Sequence, residues 1–195
     1  YVVLTGVSRD DLGDGGAGHF CDCIDALRKL PSPPKIEVLP SDFAGNMEAV
    51  DRLAAALPEV YNYNTETVPR LFRSVRGPIP KLETTLEIFR RIARNQPSIA
   101  LKSGLMLGLG ETNEEVLEVL VMLREAGCRR ITIGQYLQPG PANLPVARYV
   151  PPEEFDAIAV LAGQLGFEDV FAGPFVRSSY RAEEHAPEPR SARIR

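Results

Sequence analysis

Near the end of the sequence, GPFVRSSYRA sets Ser178 and Ser179 side by side between the cation Arg177 and the phenol Tyr180. A helix cap uses one such hydroxyl, so a plain chain end leaves the second unexplained. Further upstream, Lys102 and Ser103 interrupt the apolar run ALKSGLMLGL. A lysine there must find an anion or a water-filled cavity, and as a free amine it could form a Schiff base with a carbonyl substrate. Asn64 and Glu66 in NYNTETVPR can hydrogen-bond hydroxyls or an amine, and beside Gln135 in GQYLQ the side chains of Tyr136 and Leu137 can flank a flat base. Thr5 opens the stretch TGVSRDDLGDGGAGHF, where backbone beside Gly15 and Gly16 can approach a ligand closely. Together these groups suit a zwitterionic nucleoside better than a bare phosphate. Each also has a plainer reading: Asp10, Asp11 and Asp14 as a turn and helix cap, Asn64 and Glu66 as a solvated loop, Thr67 as the cap of the next helix.

Something must hold these groups together, and the hydropathy pattern supplies it. Short apolar runs alternate with helical periodicity, the mark of parallel strands joined by crossover helices. The strands read as YVVLTGV, KIEVLP, EVYNYN, ALKSGLMLGL, RRITIGQYL and EDVFAGP. The helices read as residues 19–30, 46–56, 68–74, 82–95, 113–126 and 152–165, with Gly127 and Gly166 as stop signals. In such folds chemistry gathers at the carboxyl ends of the strands, where this reading puts all four polar clusters. Five or six βα units fall short of the eight that close the commonest barrel. The expectation is therefore α/β, a partial (β/α) barrel over 1–181, with a polar tail at 182–195 that frays. The first strand starts on the first residue, Tyr1, so the reading is of a chain cut from something longer.

Composition narrows the partners. The 195 residues are 44% hydrophobic, enough for one buried core, and the net charge of −4 with interleaved signs argues against nucleic acid. No apolar run approaches the ~20 residues that span a bilayer, and no charged-then-apolar leader opens the chain. A soluble cytoplasmic protein, with no membrane partner, is the expectation. Cys21 and Cys23 lie two apart on a helix and project to different sides, and Cys128 reads as core packing. The glycines at 104, 108 and 110 are too sparse for a dinucleotide fingerprint.

At this point the segments YVVLTGVSRDDLGDGGAGHF, IEVLPSDFAG, NTETVPRLFRSVR, KSGLMLGLGETNEEV, TIGQYLQPG, LPVARYVPPEEF and GPFVRSSYRA together resemble the lipoyl synthase family of the radical S-adenosylmethionine superfamily. The resemblance covers almost the whole chain in order. It implies a sulfurtransferase that uses two [4Fe-4S] clusters, radical and auxiliary, with S-adenosyl-L-methionine and a reducing electron donor. The substrate it implies is an octanoyl chain on a lysine of a lipoyl carrier domain, which gains sulfur at C6 and C8. By the same resemblance Thr5, Asn64, Glu66, Lys102, Ser103, Gln135 and Tyr136 surround S-adenosylmethionine. The Arg-Ser-Ser-Tyr motif supplies a serine oxygen ligand to the auxiliary cluster, Ser179 by motif position with Ser178 as the alternative. That would account for the paired hydroxyls.

The sequence also departs from the family. The Cys-x3-Cys-x2-Cys motif of the radical cluster and the second cysteine triad are absent, and Cys21, Cys23 and Cys128 match neither. A basic stretch common in the family is replaced by GPAN at 140–143, and Tyr63 stands where a histidine is frequent. The expectation is the carboxyl-terminal portion of a lipoyl synthase, without its amino-terminal strand and inactive alone. Two rival readings stand beside it: a cluster-free remnant serving as a binding scaffold, and an unrelated barrel lyase using Lys102.

Overall fold

A computed structural model describes residues 1–78 and 81–185. Six strands, β1 (Val2–Thr5), β2 (Ile36–Leu39), β3 (Val60–Asn62), β4 (Ala100–Leu107), β5 (Arg130–Gln135) and β6 (Asp169–Gly173), form one sheet in sequence order, every pair parallel. Among the described residues β1 pairs only with β2 and β6 only with β5, so the sheet is open. This is a partial barrel, as the βα alternation leads one to expect.

The helices start and stop where local chemistry directs. α1 (Ala17–Arg28) follows the turn in which Asp14 Oδ1 and Oδ2 accept from the Gly16 and Gly18 amides at 3.0 and 2.8 Å. α2 (Met47–Ala55) is capped by Asn46, whose side chain accepts from the amides of Glu48 and Ala49. The helix expected over 68–74 is instead a 3-10 turn, Pro69–Leu71, running into the single helical turn α3 (Phe72–Val75). α4 (Leu82–Asn95) buries Leu82, Leu86, Phe89 and Ile92 along one stripe. α5 (Asn113–Glu125) opens on a capping box, with Thr112 Oγ1 accepting from the Glu115 amide and the Glu115 carboxylate accepting from the Thr112 amide. α5 ends at Gly127, and α6 (Pro152–Gln164) at Gly166, with φ of 98° and 89°. Of the expected tail, Ala182–His185 form a further 3-10 turn with Ala182 buried; residues 186–195 lie outside the described part.

Alternation along the strands divides the sheet into two faces. Ile36, Val38, Tyr61, Leu101, Leu105, Ile131 and Ile133 pack with the helices in one apolar core. The opposite face is polar: the register aligns Asn62, Lys102, Arg130 and Asp169 in one row across β3–β6. Nearer the carboxyl end, Gly104, Thr132 and Phe171 form the next row.

Candidate functional site

The carboxyl ends of the first three strands enclose a cavity of about 440 Å³, within the range of small-molecule sites. Thr5 ends β1 and Gly6, Val7 and Ser8 follow it, Ser41 and Asp42 follow β2, and Tyr63, Asn64 and Glu66 follow β3. A smaller cavity of about 160 Å³ continues over β4 and β5, lined by Gly104, Met106, Thr132, Gly134, Val176, Arg177 and Ser178. Asn64 and Glu66 line both spaces.

Glu66 is held there by its backbone. Its φ is 69°, a conformation a non-glycine residue rarely adopts. Two hydrogen bonds to β4 fix it, from its own amide to Gly104 O at 2.9 Å and from the Met106 amide to its carbonyl at 2.8 Å. Burial pushes the Glu66 carboxyl above the usual carboxylate range, opposed by a hydrogen bond from Asn64 and by the charge of Arg76. Such a group gains from an ammonium or hydroxyl partner in the cavity. Asn64 Oδ1 is buried with no partner among the described residues, so it too has acceptor capacity to spare. A Cβ on Gly104 would sit 2.7 Å from that oxygen, and only glycine lets Asn64 lie over β4.

Arg76 is the site residue that residue-type reasoning passed over. Nη2 donates to the Tyr63 hydroxyl at 2.8 Å and Nη1 to the Asn64 carbonyl at 3.3 Å, while the guanidinium lies over the rings of Tyr63 and Phe72. Burial raises the Tyr63 phenol, so it stays a neutral partner for that cation. The available signal was position: Arg76 stands immediately before Gly77, which has φ 87°.

Other expected residues are placed elsewhere. Lys102 lies toward the amino end of β4, where Nζ donates to both carboxylate oxygens of Glu37, at 3.0 and 3.3 Å, and both side chains are 0% exposed. Asn62 Nδ2 and the Tyr1 hydroxyl donate to the same carboxylate at 3.0 and 2.8 Å. The anion that Lys102 required is thus a buried glutamate, and the amine is closed to a carbonyl substrate. Burial lowers the Lys102 ammonium pKa, with Glu37 opposing. Ser103 faces the other side of β4, donating to Tyr63 O at 2.9 Å and meeting Thr65 Oγ1 at 2.9 Å. Neither Lys102 nor Ser103 lines the cavities. Gln135 spends its amide on the loop after β5, with Nε2 donating to Tyr136 O and Arg148 O and Oε1 accepting from the Val150 amide. Tyr136 donates its hydroxyl to Leu144 O at 2.8 Å. These two hold the loop's shape.

The Arg-Ser-Ser-Tyr segment crosses the sheet next to Gly134. A Cβ at that position would lie 2.2 Å from Val176 O. Ser178 reaches the smaller cavity and Ser179 is exposed, while Arg177 Nη1 donates to Val176 O at 2.7 Å and Tyr180 stacks edge-on against Phe171. Among the described residues no group of three or more His, Cys, Asp or Glu could hold a metal ion. Cys128 is buried in the core and its thiol is pushed up to about 12, and Cys21 sits across α1 from Cys23 with Sγ toward Arg52 O. These cysteines do not fit an iron-sulfur cluster. A nucleoside carrying an amine and hydroxyls fits the larger cavity, given the spare acceptor on Asn64 and the raised Glu66 carboxyl.

No protein-family model matches the chain. Among curated proteins, the lipoyl synthase of Methylococcus capsulatus is 54% identical over 187 residues, covering 95% of this chain and 58% of that protein. Over nearly its whole length the chain is thus similar to lipoyl synthases. The Thermus thermophilus lipoyl synthase is 53% identical over 183 residues, or 94% of this chain and 57% of that protein. The chain thus spans a little under three fifths of the length of these lipoyl synthases. In fold it is similar to the radical S-adenosylmethionine methyltransferase TsrM of Kitasatospora setae, with a TM-score of 0.52 and 18% identity, over 80% of this chain and 31% of that one. That likeness speaks to the fold alone.

Proposed function

We propose that this chain forms the S-adenosylmethionine-binding part of a lipoyl synthase. The reaction is insertion of two sulfurs at C6 and C8 of an octanoyl chain borne on a lysine of a lipoyl carrier domain. The observation that carries the reading is the shared position of Asn64 and Glu66. In a chain about half identical to lipoyl synthases, these two residues follow the carboxyl end of β3 and line both cavities. Glu66 and Asn64 would take the ammonium and ribose hydroxyls of the ligand, and Thr5 would border it. Arg76 would hold Tyr63 and the backbone of Asn64 in place. Lys102 serves through the Glu37 pair, beneath the ligand and without touching it. The two [4Fe-4S] clusters of the reaction would supply the electron and the sulfur, the electron coming from a reducing donor. Their cysteine ligands are not among the cysteines of this chain. A serine of the Arg-Ser-Ser-Tyr segment would meet the auxiliary cluster, Ser179 because it is exposed, with Ser178 the alternative at the cavity wall.

The test is calorimetric titration of S-adenosylmethionine into the chain, alongside Glu66→Ala and Asn64→Ala. Binding to the parent that weakens at least tenfold in each variant is expected. Equal binding by all three would refute the placement, and no binding by a folded parent, with retained affinity for an octanoylated carrier domain, would move the scaffold reading to first place. In a complete lipoyl synthase carrying the equivalent changes, replacing both serines should abolish product. Normal turnover would overturn the serine assignment.

A further inference from the structure

Beside the first cavity, and outside the proposed chemistry, α1 carries a second set of donor atoms. His19 and Cys23 are four residues apart, so they share one helix face. Cys23 Sγ lies 4.0 Å from His19 Nε2. Both line a separate cavity of about 230 Å³ together with Arg9, Gly16 and Phe20. Cys23 is half-buried and His19 is exposed, so the pair is open to solvent on one side. Cys21, the other accessible thiol of α1, is turned away toward Arg52 O. Among the described residues the arginine bordering the cavity, Arg9, is tied to Asp11 by two contacts of 2.7 and 2.6 Å, which offsets its charge.

We propose that His19 and Cys23 form a two-residue site for a thiophilic divalent cation such as Zn²⁺ or Cd²⁺. Tetrahedral bonds of about 2.3 Å to sulfur and about 2.05 Å to nitrogen place the two donors roughly 3.6 Å apart. The observed separation needs only a small side-chain rotation to reach that. Binding forms one metal–sulfur and one metal–nitrogen bond and releases the thiol proton to solvent, with water completing the coordination in the open cavity. Thiolate sulfur selects soft ions, so Mg²⁺ and Ca²⁺ are excluded. The site also abuts the ligand cavity, because Thr5, Gly6 and Val7 line both spaces. Phe20, between the two donors in sequence, lies against Gly6, where an added Cβ would be 2.9 Å from its ring. An ion on α1 therefore bears on the loop that borders the first cavity. This inference stands independently of the proposed function.

Titration with CdCl₂ alone, followed by the ultraviolet thiolate-to-metal charge-transfer band, tests it on the reduced chain. One equivalent is expected to bind in the parent and in Cys21→Ser. The band should vanish in Cys23→Ser, and affinity should fall at least tenfold in His19→Ala. A band that survives Cys23→Ser, or disappears in Cys21→Ser, overturns the site, as does undiminished affinity in His19→Ala. Should Cys23→Ser fail to fold, the parent still decides the matter. Cd²⁺ should protect Cys23 but not Cys21 from alkylation, read by peptide mass spectrometry, and equal protection of both thiols refutes the pairing.

Discussion

Replacing Lys102 by methionine isolates the ion pair under the site. Lys102 and Glu37 are both fully enclosed, with Nζ 3.0 Å from the nearer carboxylate oxygen. At an effective dielectric of ~20, two unit charges at that distance attract by roughly 5 kcal/mol, an attraction that offsets much of the cost of taking both from water. Removing one partner of such a pair typically costs about 3–5 kcal/mol, whereas replacing both costs little. In Lys102→Met the Glu37 carboxylate keeps, among the described residues, the neutral donors Asn62 and Tyr1, so a loss of about 4 kcal/mol is expected. With a urea dependence of about 2 kcal/mol per molar, the unfolding midpoint drops by roughly 2 M. The double variant Lys102→Met with Glu37→Gln retains an amide oxygen for those donors and should recover most of the loss, ending within about 1.5 kcal/mol of the parent. Urea unfolding followed by circular dichroism on the parent, both singles and the double provides the cycle. If Lys102→Met unfolds at the parent midpoint, or the double is as unstable as the sum of the singles, the pair is not the element that stabilises the base of the sheet.

Three further outcomes follow from the geometry. Gly134→Ala would force a methyl to within 2.2 Å of Val176 O; the 174–181 segment should lift, at a cost of about 1–3 kcal/mol, and trypsin should cut after Arg177 and Arg181 faster than in the parent, unchanged cleavage being the contrary result. Burial pushes Cys128 up to about 12, so iodoacetamide at pH 8 should label Cys21 and Cys23 in the folded chain and reach Cys128 only on unfolding; early labelling of Cys128 contradicts the packing. The Glu66 carboxyl is raised in the folded state, so the folded chain binds more protons there than the unfolded one, and stability falls as pH rises from the unfolded value of about 4.3 through the raised folded value. Glu66→Gln lacks that slope: it should match the parent below about pH 4 and exceed it at neutral pH, and a neutral-pH deficit would show that Glu66 makes a compensating charged contact.

Hydropathy period and helix punctuation determined most of the fold from the sequence. Each of the six strands and the long helices depends on residues within a few positions, such as the Thr112–Glu115 box and the glycines at 127 and 166. The segment expected as a helix at 68–74 is helical over 69–75, with Pro69 at its first position, but its opening turn is 3-10 and only Phe72–Val75 are α-helical. The motif segments likewise carry the resemblance to the lipoyl synthases by themselves. What only the tertiary structure decided was direction. Alternation along a strand sends neighbouring side chains to opposite faces, so Lys102 and Ser103, adjacent in sequence, went to a buried glutamate and to the helix-side packing respectively. Residue type gave Lys102 a need for an anion; the register of β2, β3 and β4 made Glu37 that anion. Arg76 became a site residue because a turn folds it back over Tyr63, and Gly134 became essential because a segment more than 40 residues later crosses it. Such contacts depend on where distant segments meet, which no local pattern of residues encodes.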